Sequence, residues 1–189
     1  MDAANMKHAL VVGTGDLSEL ALGWCTYNGD HMSMYAVNAS VPKTLVRFVC
    51  SSYAAMCENE ELRKTLESVC DTPVTPELTP NNDGEIAQMT EEKIGKYDLN
   101  DFFLFHTLRY GFEPSRTAAY ALRAYPELTS EEVRKAAGNF FKRFFSQQFK
   151  RSCMPDGPKV GSVSLSPRGD WRMPSDATVS LWMEDLLKS

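Results

Sequence analysis

The chain has 189 residues, enough for one domain of ordinary size. Its 43% hydrophobic and 24% charged residues argue against wholesale disorder, and no apolar run approaches the roughly 20 residues needed to cross a bilayer. The net charge of -5 hides a basic stretch, because Ser130 to Ser175 carries nine Lys and Arg against four Asp and Glu. A local basic segment on an acidic chain suits an anionic small molecule better than a nucleic acid, although a solvated basic face has the same composition. The start, MDAANMKHALVV, lacks the order of a secretory leader. The five cysteines (Cys25, Cys50, Cys57, Cys70, Cys153) are widely spaced, with no CxxC pair. A cytoplasmic protein with reduced thiols and no structural zinc is therefore expected.

His8 to Val12 is a short apolar run that ends at Gly13-Thr14-Gly15-Asp16, which predicts a buried strand delivering a loop. Leu17, Leu20, Ala21 and Trp24 then fall on one face of a helix from Leu17 to Tyr27, with Asp16 or Ser18 as its cap. Tyr35 to Asn38 is a second strand candidate. Pro42 suits the first position of the next helix, with Ser40 as cap. Residues 44–57 and 58–70 read as two more helices, the second acidic at its start. Three prolines between Asp71 and Asp83 predict a long loop. Helices are predicted for Asp98–Tyr110, stopped by Gly111, and for Pro114–Tyr125, stopped by Pro126. Thr129 and Glu132 make a capping box for a long helix continuing to Lys150. A polar loop follows Pro155, and a short amphipathic helix over 177–187 closes the chain. The result is a helix-rich α/β pattern with two or few parallel strands. Two strands are too few for a good sheet, so other sequence or another chain is expected to complete it.

The GTGD turn has the form of a phosphate approach: glycines let the backbone come close, and N–H groups at a helix start attract anions. The same four residues also describe a tight strand-to-helix turn, and they complete neither a GxGxxG nor a Walker loop. Glu19, one turn into the helix, suits a magnesium ion or a substrate hydroxyl as well as a dipole-compensating surface role. Trp24 and Tyr27 suit stacking on a ligand ring or core packing. Lys150, Arg151, Lys159, Arg168 and Arg172 crowd around turns, where cations meet phosphates. SPRGDW (Ser166 to Trp171) mixes cation, glycine, carboxylate and aromatic in one loop. His106 reads as a packed histidine, and Cys25 has no basic partner fixed near it by sequence.

Six ordered blocks go further: GTGDLSELALGWCTY (13–27), NASVPKTLV (38–46), DTPVTPEL (71–78), YDLNDFFLFHTLRYGFEPS (97–115), FKRSCMPDGPKV (149–160) and SPRGDWRMPSD (166–176). In order and spacing they resemble the C-terminal part of glutamine-dependent NAD(+) synthetase, over nearly the whole chain. The resemblance implies a Rossmann-like adenine-nucleotide alpha-hydrolase (ATP-pyrophosphatase) domain, of which residues 1–189 would be the C-terminal half. It implies an enzyme that makes NAD from deamido-NAD, MgATP and ammonia released from glutamine by a separate nitrilase-like domain. A homodimer or higher oligomer is implied too, with no nucleic acid and no membrane. By matching positions, Thr14, Lys43 and Thr75 would contact ATP. Glu19, Trp24, Cys25, Thr26, Tyr27 and Lys150 would line the deamido-NAD site, and Glu19 would lie near magnesium. Asp170 and Trp171 are further candidates. Phe149 stands where ammonia-dependent relatives carry a histidine. The family's SGGxDS loop is absent from the sequence, as is the glutaminase domain, so this chain alone is expected to be inactive. The alternative is a non-enzymatic dinucleotide-binding module.

Overall fold

The computed structural model describes residues 1–30, 32–72 and 94–188. After a first helix, α1 (Asp2–Lys7), the chain enters β1 (Val12–Gly13), turns through Thr14 and Gly15, and starts α2 (Leu17–Leu22). Strand β2 (Tyr35–Ala36) lies parallel to β1, with Val12 opposite Tyr35 and Gly13 opposite Ala36. Tyr35 also forms a parallel bridge with Asp156. A parallel pair needs a crossover helix, and α2 supplies it. Helices α3 (Lys43–Met56), α4 (Glu60–Asp71), α5 (Tyr97–Tyr110), α6 (Pro114–Ala124), α7 (Ser130–Ser146), α8 (Gln148–Arg151) and α9 (Ser180–Leu186) follow.

The core is built around α7. Val133, Ala137, Phe140, Phe141 and Phe144 recur at helical spacing and are all buried, making one apolar stripe. Phe103 of α5 meets Phe140 at 5.8 Å between ring centroids. Trp182 of α9 closes over Phe141 and Phe145 at 5.2 and 5.0 Å. Leu20, Ala21 and Leu22 bring α2 into the same cluster. The α3–α4 hairpin stands apart from it: α3 buries only Ala54, and α4 buries no residue.

The expected strand–turn–helix opening and most helices are present, with shifted ends. The strand expected over His8–Val12 sits at Val12–Gly13 with Val12 half exposed, because no described residue pairs along the other edge of β1. Helix α2 stops at Leu22, where Gly23 takes a left-handed turn (φ 60°), so Trp24 to Tyr27 lie beyond it. Of the two cap candidates, Asp16 is the cap. Pro42 is the N-cap of α3 rather than its first residue, and Ser40 does not cap it. Its hydroxyl donates to Pro158 O (2.6 Å) and accepts from Val160 N (2.8 Å). The predicted long helix breaks between α7 and α8, and α1, with Asp2 in its first turn and Lys7 in its last, is not among the predicted elements.

Candidate functional site

The turn into α2 concentrates charge. Asp16 Oδ1 accepts from Glu19 N (2.9 Å), and Glu19 Oε2 accepts from Asp16 N (3.1 Å), a reciprocal capping box. This geometry leaves one oxygen of each carboxylate facing away from the helix. Lys43, the first residue of α3, fills that space: its Nζ lies 2.7 Å from Asp16 Oδ2 and 2.6 Å from Glu19 Oε1. The Tyr97 ring centroid is 5.6 Å from the same ammonium. Burial pushes the Asp16 and Glu19 carboxyls up from the ordinary carboxylate range, against the pull of Lys43. Burial alone would lower Lys43, but the two carboxylates outweigh it and hold the ammonium above its usual value.

The N-termini of α2 and α3 are tied together by a third carboxylate. Asp101, on α5, accepts from Ser18 Oγ (2.5 Å), Thr44 Oγ1 (2.8 Å) and Thr44 N (3.2 Å). Ser18 Oγ in turn accepts from Lys43 N (2.8 Å). Burial pushes the Asp101 carboxyl upward, opposed by these donors. Beside this cluster lies a water-sized cavity of about 20 Å³, lined among others by Gly13, Gly15, Glu19, Cys25 and Ser33. Gly13 is required there, because a side chain at that position would collide with Ser33.

The other end of α2 is held by three cations, where the last carbonyls of a helix lack partners. Arg143 Nε donates to Leu22 O (3.0 Å). Lys150 Nζ donates to Gly23 O (2.8 Å) and Cys25 O (2.7 Å). Arg151, completely buried, donates through Nη1 to Leu20 O (3.1 Å) and Ala21 O (2.9 Å), through Nη2 to Phe144 O, and through Nε to Gln148 Oε1 (2.9 Å).

Of the residues singled out in the sequence, Glu19 and Lys43 meet in one ion pair, with exposed Thr14 on the adjoining turn. Trp24 is partly buried, with the Arg143 guanidinium 5.2 Å from its ring centroid. Burial raises the Cys25 thiol, which agrees with its poor prospects as a nucleophile. Thr26 is exposed, and its N–H donates to Asp30 Oδ2 (2.6 Å). Tyr27 lies 5.5 Å from the Phe149 ring, and its hydroxyl is 3.6 Å from Cys153 Sγ. Lys150 reaches the Trp24–Cys25 turn through its carbonyls. Asp170 accepts from Lys159 (2.6 Å), and Trp171 packs on Phe144 at 5.4 Å. Thr75 lies outside the described residues. Sequence reasoning missed Asp101 as a site residue. Its only signal was a carboxylate inside the apolar run of α5. It also treated Arg151 as one surface cation among five.

Glu19 Oε1 faces Lys43, and among the described residues no group of three His, Cys, Asp or Glu could hold a metal ion. The described residues therefore do not by themselves make a magnesium site. Among them, no helix is long and apolar enough to cross a membrane.

A parallel strand pair joined by a Gly-rich turn and a capped helix, within a helix-rich shell, makes a helix-rich α/β protein, in agreement with a Rossmann-like domain of the ATP-pyrophosphatase kind. The family model described as NAD synthase matches residues 1–144, so the chain belongs to the NAD synthase family. It is 46% identical, over 97% of its length, to the glutamine-dependent NAD(+) synthetase of Mycobacterium leprae. It is 45% identical to that of Mycobacterium tuberculosis over the same share. The chain spans 30% of the length of each of these relatives. In fold it matches a crystal structure of a glutamine-dependent NAD(+) synthetase from Cytophaga hutchinsonii with a TM-score of 0.72. That match is at 22% identity and covers 98% of this chain and 27% of the other.

Proposed function

We propose that this chain is the C-terminal part of a synthetase domain that completes NAD, in the cytoplasm, from deamido-NAD, ATP and ammonia derived from glutamine. What supports the reading is the NAD synthase family match over residues 1–144, and the group placed to serve it is the Lys43 ammonium, held between Asp16 and Glu19 beside the Gly13–Asp16 turn. In the proposed reaction the nicotinate carboxylate of deamido-NAD attacks the α-phosphorus of ATP and diphosphate leaves. Ammonia then attacks the activated acyl carbon and gives up a proton to solvent, AMP departs with the bonding electron pair, and the amide of NAD remains. Both steps gather negative charge on phosphoryl oxygens, and Lys43 would stabilise it by exchanging its carboxylate partners for those oxygens. Lys43 is the cation assigned to ATP, with Thr14 beside it and Thr75 from the Pro-rich segment. Glu19, the Trp24–Tyr27 turn and Lys150, which braces that turn, are assigned to deamido-NAD. Magnesium would arrive on the ATP phosphates, where it would neutralise charge on the departing diphosphate, with Glu19 as a neighbouring carboxylate.

Without an SGGxDS loop the chain alone is expected not to turn over. The test is a chimera in which these residues replace the matching stretch of the Mycobacterium tuberculosis synthetase. It should form NAD, and Lys43→Met should lower NAD formation about 100-fold or more while glutamine hydrolysis persists. A folded chimera that hydrolyses glutamine but makes no NAD, or an indifferent Lys43→Met, would sink the proposal.

A further inference from the structure

We infer that Asp101 is the positioning residue of this site, acting as a cap delivered from α5 that fixes Lys43 between Asp16 and Glu19. The need for it starts in the sequence. Helix α3 begins after Pro42, whose side chain has no oxygen to offer the first N–H groups, and no cap within the helix's own segment replaces it. Uncapped N–H groups at a helix start need partners. Here they come from other elements: Ser18 Oγ takes the N–H of Lys43, and Asp101 Oδ2 takes both the N–H and the hydroxyl of Thr44. Asp101 Oδ1 takes the Ser18 hydroxyl. A single carboxylate thus orients the serine of α2 and the first turn of α3 together.

The consequence falls on Lys43. Its backbone N–H is held through Ser18, and its neighbour Thr44 is held by Asp101. Its side chain is therefore launched from a fixed point toward Asp16 and Glu19, which the α2 capping box has already oriented. The same contacts occupy the α3 N-terminus with protein acceptors, so that helix end is not open to an anion.

The link to catalysis rests on the reading of Lys43 given above, but the positioning claim is measurable without nucleotide. The readout is the ammonium ¹⁵N–¹H signal of Lys43 in this 189-residue chain, assigned by its loss in Lys43→Met. Held in the double ion pair, that signal should exchange slowly with water. Asp101→Ala and Ser18→Ala should each speed its exchange about tenfold or more, because each releases hydrogen bonds of the cap. Asp101→Asn should recover part of the protection, since its carbonyl oxygen can still accept from Thr44. Thr129→Ala, which removes the cap of α7 and touches neither Asp101, Ser18 nor Thr44, should lower stability and leave Lys43 exchange unchanged. If Asp101→Ala prevents folding, Thr44→Val and Ser18→Ala carry the test. Lys43 exchange that stays slow in the destabilised Asp101 or Ser18 variants, or that speeds up equally in Thr129→Ala, would overturn the inference. In the chimera, loss of NAD formation that tracks Lys43 exchange across the series would extend it to the reaction.

Discussion

Among the described residues Arg151 has the largest fully buried side chain, and none of them pairs a carboxylate with it. Burial pulls its guanidinium down to about 10, still far above neutral pH, so the charge persists inside the core. The structure meets that cost with oriented dipoles: two carbonyls from the last turn of α2, one from α7 and the amide of Gln148. The Phe144 ring adds a cation–π contact at 4.4 Å. The planar fork serves several acceptors at once, which an ammonium cannot reproduce. Arg151→Ala should therefore cost about 3 kcal/mol or more, since it strands buried carbonyls as well as removing packing. Arg151→Lys should recover only part of this. Thermal unfolding is the measurement, with an expected fall of roughly 2–4 °C per kcal/mol for a chain of this length. Equal stability of Arg151→Lys and the wild type would show that the fork geometry is unimportant.

At the scale of elements, what was legible in the sequence follows a simple physical division. Helix α7 could be read with its start because its signals are local: Thr129 and Glu132 cap each other, and the apolar stripe follows within the same segment. The start of α3 was misassigned because its cap is not local, with Thr44 and Asp101 separated by 57 positions. Ser40, the local candidate, was drawn away to the 158–160 loop by contacts of 118 and 120 positions. Lys150 was expected at the deamido-NAD site, but no spacing argument could show that it reaches carbonyls 125 and 127 positions away. The same loop supports the sheet, because Ala36 N donates to Asp156 O at 2.8 Å. Gly157 follows, and any Cβ there would collide with the Ala36 carbonyl, a backbone atom that cannot swing aside. Gly157→Ala should cost roughly 1–3 kcal/mol as an overpacking substitution. Gly161→Ala, in the same loop and with nothing nearer than 4.0 Å, should be close to neutral. Equal melting temperatures for the two variants would contradict this account of the loop.

At the scale of the whole molecule, two surfaces look unfinished. One is the small sheet, where Leu10 and Val12 on the β1 segment and Tyr35 and Val37 on the β2 segment are exposed. The other is the outer face of α3, where Phe48 (67% exposed), Val49, Tyr53 and Met56 (73% exposed) recur at helical spacing. Relatives more than three times this length have further chain with which to cover such surfaces, and the isolated chain is expected to cover them by self-association. The two faces should not contribute equally. An unpaired edge offers backbone hydrogen bonds, but β1 has only two residues, so an added strand would gain little there. The α3 face offers four large side chains in one continuous stripe, and burying each is worth about 1.5–3 kcal/mol. Sedimentation velocity over a wide concentration range should therefore show reversible association of the wild-type chain. Phe48→Glu combined with Met56→Glu should shift it strongly to monomer, whereas Val12→Lys should shift it only slightly. If Val12→Lys were the more effective change, the sheet edge would be the dominant contact, and a wild-type chain that sediments as a clean monomer would remove self-association altogether.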